Sequence, residues 1–168
     1  GVTCDVVHPS SDLSRYRVVV VPTLYLVSDE DAASIAAAAA AGAHVVVTYF
    51  SGISDANDHV RLGGYPGAFR DLLGVRVEEF FPLRPDETLA LSGGGSGSQW
   101  SEDARALDAQ VVTTYAAGPL SGRPAVTRRS VDAGVAWYLG TLPDDDSLGT
   151  LLDTVLREAR SPKVIDWL

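Results

Sequence analysis

Methionine is absent from this 168-residue sequence, lysine occurs once (Lys163) and cysteine once (Cys4). A lone cysteine excludes an internal disulfide and any cysteine-based zinc cluster. Without a methionine, Gly1 reads as an internal residue, and the expectation is an excised piece of a longer protein. Arginine in place of lysine, with abundant Ala, Gly, Asp and Val, is the bias of a GC-rich bacterial genome. No apolar run approaches the ~18 residues of a membrane span. Gly1-Val2-Thr3-Cys4-Asp5 has neither the charged start nor the apolar core of a signal peptide. The expected location is the cytoplasm. Positive charge is scarce too: the formal net charge is −9, so no basic face offers itself to nucleic acid. Phosphate-binding glycine patterns are missing. Gly63-Gly64-Tyr65-Pro66-Gly67 fits neither the dinucleotide fingerprint nor a P-loop, and no cofactor is expected.

What is present suits one α/β domain over residues 1–168. Hydrophobic residues make up 46% and charged residues 21%, a globular balance. Val2 to Val7 reads as a strand and Arg17 to Val21 as a buried one stopped by Pro22. Ser28, followed by three acids, predicts a helix start, and the alanines at 36–41 give that helix a slim face for packing on a sheet. Val45 to Phe50 is a third buried strand. Pro66 opens a short helix with Phe69, Leu72 and Leu73 on one face, ended by Gly74. This alternation predicts a parallel sheet. Val75 to Phe81, Thr88 to Leu91, Gln110 to Tyr115, Pro124 to Arg129 and Val135 to Leu139 then read as further strands of the same sheet. The glycine-rich Ser92 to Ser98 is the tip of a mobile hairpin. A last helix, capped around Asp144 to Ser147 and running from Leu148 to Arg160 before Pro162, carries an apolar stripe through Leu148, Leu151, Leu152, Val155 and Leu156.

The stretch with most chemistry is the loop of roughly fifteen residues after Phe50, far longer than the usual 4–6. It leaves a buried strand at the carboxyl end, where α/β sheets build sites. A nucleophile elbow needs two glycines around the nucleophile, and Tyr49-Phe50-Ser51-Gly52-Ile53 has one, with no helix following at once. A Ser51–His59 pair and a thiol built on Cys4 with His8 or His44 are therefore weak readings. Glu78 and Glu79 are adjacent on a strand and point to opposite faces, so they cannot flank one bond. Asp55 and Asp58 suit turn formation better than catalysis. Asp55, Asn57, Asp58 and His59 lack calcium-loop spacing, and no metal site is expected. The aromatics Tyr49, Phe50, Tyr65 and Phe69 with Arg61 and Arg70 are interface-type residues, although Tyr49 and Phe69 fit a core better.

Several blocks, in order, resemble one family. They are Tyr16 to Leu26, Thr48-Tyr49-Phe50-Ser51-Gly52 with Asp55, Asn57 and Asp58, and Gly63 to Gly67. Arg70 to Gly74, Gly122 to Arg128 and Ala136 to Thr141 continue the series. Together they resemble the middle, or trimerisation, domain of bacterial family 42 β-galactosidases. The resemblance implies a flavodoxin-like, class I glutamine amidotransferase-like three-layer sandwich, mainly parallel with antiparallel strands added in the second half. It implies a first strand and helix lying before Gly1. It also implies a non-catalytic role, with trimer contacts in a parent enzyme that cleaves terminal β-D-galactosides through an upstream barrel. Galactoside would be engaged only by the full enzyme. Phe50, Ser51, Asp55, Asp58, His59, Tyr65 and Arg70 are the implied subunit-contact or sugar-proximal residues. The alternatives are a free-standing amidotransferase-like hydrolase using Ser51 or Cys4, and a carbohydrate-binding module on the 51–67 loop.

Overall fold

The computed structural model describes residues 2–159. Gly1 and residues 160–168, which include Arg160, Pro162 and Trp167, lie outside them. Val18–Val21 (β1) leads through helix α1 (Asp29–Ala40) to His44–Thr48 (β2), and the two strands run parallel. Ser28 caps α1 by accepting the Asp31 N–H at 3.0 Å, which satisfies a donor that the helix itself cannot. Ala32, Ile35, Ala38 and Ala39 bury its inner face. After β2 come a short 3₁₀ turn (Gly67–Phe69), α2 (Arg70–Leu73) and β3 (Val75–Pro82). Gly74 ends α2 with φ +62°, a left-handed conformation that suits glycine.

Hairpin strands follow: β4 (Thr88–Ala90), β5 (Ser96–Ser98), β6 (Trp100–Ala106) and β7 (Gln110–Thr114), then β8 (Pro124–Val131) and β9 (Gly134–Leu139). The glycine tract lies between β4 and β5, which pair antiparallel. The short β10 (Leu142–Pro143) precedes α3 (Asp145–Glu158). The Asp144 carboxylate caps α3 through the Ser147 N–H and also accepts the Ser96 N–H, and these bonds hold its pKa down at about 2. None of the helices among the described residues is long and apolar enough to cross a membrane.

The expected flavodoxin-like sandwich on one mainly parallel sheet does not form, and the amidotransferase-like description falls with it. Strand outweighs helix, and the strands divide among three sheets, ordered β1-β2-β9-β8-β7, β10-β5-β4 and β3-β6. Among the described residues, the only parallel strand ladders are β1 with β2 and β2 with β9, and the other ladders are antiparallel. The cause lies in the connections. A parallel crossover needs a dozen or more residues, usually including a helix, whereas turns recur at short intervals from Val75 to Leu139 and fold the chain back on itself. Two strand readings are corrected as well. Val2 to Val7 forms no strand, because no edge pairs with it among the described residues. The first strand is the sheet's edge rather than buried, with Val20 51% exposed.

One core lies between the sheet and α1, with Val45, Val47, Phe69, Leu73, Ala136 and Tyr138 at its centre. A second lies under α3 and contains Val46, Trp137, Leu139 and Val155. β2 feeds both, as its central Val45-Val46-Val47 run requires. At Gly134, where β9 starts, a Cβ would fall 2.2 Å from the Ala39 carbonyl oxygen and 2.3 Å from that of Ala43. Backbone cannot yield as a side-chain tip can. Gly134→Ala is expected to lower unfolding stability by roughly 1–3 kcal/mol, read from urea midpoints, the usual cost of overpacking.

Candidate functional site

The loop after β2 is built around one short recognition between chain segments. Leu24 donates its N–H to the Ser51 hydroxyl at 3.1 Å and accepts the Gly52 N–H at 2.8 Å. Ser54 then bridges Leu26 on one side and Val60 on the other. Asp55 sets the turn between them: its Oδ1 accepts the N–H groups of Asn57 at 2.8 Å and His59 at 3.0 Å. Those two bonds, His59's first, hold the Asp55 carboxyl below the usual carboxylate range. Asp58 takes φ +61°, a left-handed conformation tolerated in tight turns by short polar side chains. Arg61 ties the returning strand to α1, donating to the Val27 carbonyl at 2.8 Å and pairing with Asp29 at 2.6 Å. Arg70 donates to the Gly63 and Gly64 carbonyls, so its guanidinium is spent on the loop itself. Tyr65 exchanges both backbone hydrogen bonds with Val77 of β3.

Above this base sits a connected cluster of half-buried rings. Tyr25 stacks on Phe50 at 5.1 Å, and Phe50 meets Trp100 at 4.9 Å. Phe80 meets Trp100 at 5.3 Å and Tyr65 at 4.4 Å, and Tyr49 stacks on Trp100 at 5.9 Å. All six rings are neither fully buried nor fully exposed. Phe50, at the hub, holds φ +58°, a backbone conformation that a bulky residue adopts only when its surroundings enforce it.

Beneath the cluster lies Glu102, which the sequence did not single out. It is 0% exposed. Its carboxylate accepts the Tyr138 hydroxyl at 2.6 Å, the Trp100 Nε1–H at 2.9 Å and the Phe50 backbone N–H. Burial raises its pKa to about 7 in spite of those three donors, and no cation faces it among the described residues. Burial raises the Tyr138 and Tyr115 hydroxyls as well, and the Tyr115 hydroxyl donates to the Gly140 carbonyl at 3.0 Å. One signal was available: Trp100 and Glu102, two apart on a strand, share a face.

The structure separates the groups that a hydrolase would need. Ser51 is fully buried with its oxygen facing Leu24, while the His59 side chain is 78% exposed beside Asp55 at 3.4 Å. Cys4 is exposed, His8 bonds Ser10, and His44 lies buried, accepting the Trp137 Nε1–H at 3.3 Å. Burial lowers the His44 pKa. Glu78 pairs with Arg76, and Glu79 accepts its neighbour's N–H. Among the described residues, no cluster of three or more His, Cys, Asp or Glu could hold a metal. The loop presents His59, Val60 and Leu62 to solvent, and its half-buried Phe50 and Tyr65 join Tyr25, Tyr49, Phe80 and Trp100 in the ring cluster.

Comparison with known proteins agrees with the sequence blocks. A family model described as the beta-galactosidase trimerisation domain matches residues 1–161. A beta-galactosidase from Arthrobacter sp is 57% identical over 159 residues, covering 95% of this chain and 23% of that protein. The crystal structure of a beta-galactosidase from Rahnella sp. R3 superposes with a TM-score of 0.94 at 30% identity, over 99% of this chain and 26% of that one. That of the beta-galactosidase from Halorubrum lacusprofundi gives 0.88 at 32% identity, over 93% and 24%. The chain thus spans about a quarter of the length of the relatives it matches. With its whole described length inside the family model, this chain belongs to the β-galactosidase trimerisation domain family.

Proposed function

We propose that this chain is a non-catalytic subunit-contact domain of a larger β-galactosidase, and that it helps hold that enzyme together as a trimer. The parent would cleave terminal β-D-galactosides with a barrel outside residues 1–168. Galactoside would meet this domain only within the whole enzyme. The observation that carries the reading is the ring cluster: Tyr25, Phe50, Tyr65, Phe80 and Trp100 pack together half-buried at the surface, while Ser51, the adjacent hydroxyl, is fully buried. Aromatic side chains present large apolar area at little entropic cost, and they dominate the energetic centres of interfaces. Asp55, Asp58 and Arg70 shape the loop that carries Tyr65, and His59 lies at its rim.

Two measurements test this. The purified chain is expected to hydrolyse no chromogenic galactoside, and turnover at enzyme-like rates would defeat the non-catalytic assignment. The parent enzyme is expected to sediment as a trimer, and a monomeric parent would remove the contact role.

A further inference from the structure

α3 covers only part of its side of the main sheet. Its apolar contacts are with β2, β8 and β9, through Val46, Val126 and Trp137. Toward β7 it stands off. Between α3, the sheet and the β4–β5 hairpin lies a cleft of about 830 Å³, within the roughly 300–1,000 Å³ of ligand clefts. Both of its ends are tied. At one, the Asp144 carboxylate accepts the Ser96 N–H of the hairpin, and a side chain at Gly95 would collide with Ser147 and Asp144. At the other, Arg128 lies 4.7 Å over the Trp137 ring and meets Glu158 at 2.9 and 3.0 Å. α3 runs roughly 21 Å between those ties, fastened to the hairpin at one end and to the sheet at the other.

The α3 residues on the cleft are Ser147, Thr150, Leu151 and Thr154, spaced as one helix face. Threonine is a poor helix former and glycine a worse one, yet Gly149 sits mid-helix with nothing within 4 Å of a side chain built on it. Packing demands neither Gly149 nor the exposed Thr150, and departures from local preference of this kind gather at functional surfaces. Thr150 and Thr154 donate to the carbonyls one turn back, of Asp146 and Thr150, and keep acceptor lone pairs. Across from them, the Gln110 and Thr113 side chains make no hydrogen bond among the described residues, and the Asp146 carboxylate has neither hydrogen bond nor ion pair. Arg128 is neutralised by Glu158, and Asp144 is spent on Ser96 and Ser147. The unspent Asp146 charge disfavours an anion. A lone carboxylate among hydroxyls and an amide suits a partner whose groups both donate and accept, as hydroxyls do.

We propose that this cleft binds a neutral oligosaccharide, lying along α3 and bonded through its hydroxyls to Gln110, Thr113, Asp146, Thr150 and Thr154. The apolar Val126 and Leu151 meet the C–H faces of the sugar. The site shares no residue with the ring cluster, and it stands whether or not that cluster is the subunit contact.

Cellotriose is the probe, because it is neutral and holds no galactose for the parent to cleave. Titrated into the 168-residue chain, it is expected to shift the amide resonances of Gly93, Gly94 and Thr150 and the Gln110 side-chain amide saturably, leaving Phe50 and Trp100 in place. Gln110→Ala combined with Thr150→Val should weaken binding at least ~10-fold, the scale of a lost hydrogen bond, and move the urea midpoint little. In the parent, hydrogen exchange across residues 147–154 should slow about tenfold at a sugar concentration about ten times Kd, and the double variant should lose that response. Absence of saturable shifts, shifts centred on the 51–67 loop, or an equal response to an alanine-based hexapeptide would overturn the site. So would undiminished affinity in the double variant. Exchange in the parent that ignores the sugar would show the cleft filled by the rest of that protein, and would overturn it too.

Discussion

Raising the pH from about 4.5 to about 7 is expected to weaken the chain relative to its Glu102→Gln variant, by roughly 3 kcal/mol in total. Glu102 has its pKa raised from the ordinary 4.5 to about 7, chiefly by burial. Within that window the unfolded chain has already lost the proton and the folded chain keeps it. Unfolding therefore releases a proton, and each step up in pH favours the unfolded state. Above about 7 both states are ionised and the penalty becomes constant. The titratable groups facing Glu102 are Tyr138 and Tyr115, whose pKa values burial pushes further up, so neither ionises in the window. Glutamine keeps the shape and an acceptor oxygen without the charge, and its stability curve should lack this component. Asp144 and Asp55, both held below the usual range, act in the opposite sense at lower pH and are common to both chains. Urea midpoints between pH 5 and pH 8 read the difference, and parallel curves would sink the assignment.

Glu102→Ala should be worse than either at every pH. It leaves the Phe50 N–H, the Trp100 Nε1–H and the Tyr138 hydroxyl without their acceptor inside the protein. Leaving a buried donor without its acceptor costs about 1–3 kcal/mol. The loss should appear locally too, since the carboxylate holds the Trp100 ring at the centre of the cluster. A retained native fluorescence spectrum at Trp100 in this variant would show that the carboxylate does not fix the ring cluster.

How much of this was legible in the sequence follows from how local each signal is. The first helix announced itself through Ser28, three acids and a run of alanines, all within one short stretch of chain. β2 was visible in Val45-Val46-Val47, because a strand buried on both faces must be continuously apolar. The β8–β9 hairpin was marked by Asp132-Ala133-Gly134. By contrast β6 escaped notice: in Trp-Ser-Glu-Asp-Ala-Arg-Ala residue type does not mark burial, since the adjacent Ser101 and Glu102 are both buried through partners far along the chain. The overall sheet order failed for a related reason. Which strand pairs with which depends on crossovers and edges, and a run of valines at 18–21 looks the same whether it lies mid-sheet or at an open border. In the site, Asp55 as a turn-former and Phe50 and Tyr65 as presented rings could be read from the loop. Tyr25, Phe80 and Trp100 arrive from distant segments, and only the folded chain assembles them.

That assembly gives the prediction with the largest expected effect on the parent enzyme. Tyr25→Ala combined with Phe80→Ala should weaken self-association by at least ~30-fold, the scale of one lost hot spot of about 2 kcal/mol. Phe80 touches Phe50, Tyr65 and Trp100, and Tyr25 flanks Phe50 on the other side, so the pair empties the face without touching Glu102's donors. Both rings are only half-buried in the isolated chain, and its urea midpoint should move far less than a core truncation would move it. Leu107, 62% exposed just after β6 at the end opposite Trp100, supplies the control: Leu107→Ser removes an exposed apolar group distant from the face. Sedimentation of the three parent proteins over a concentration series separates the cases. Dissociation in the aromatic variant alone supports the face as the contact. Unchanged assembly in that variant would place the contact elsewhere on the domain, and equal weakening by Leu107→Ser would show that exposed apolar area in general, rather than this cluster, holds the subunits.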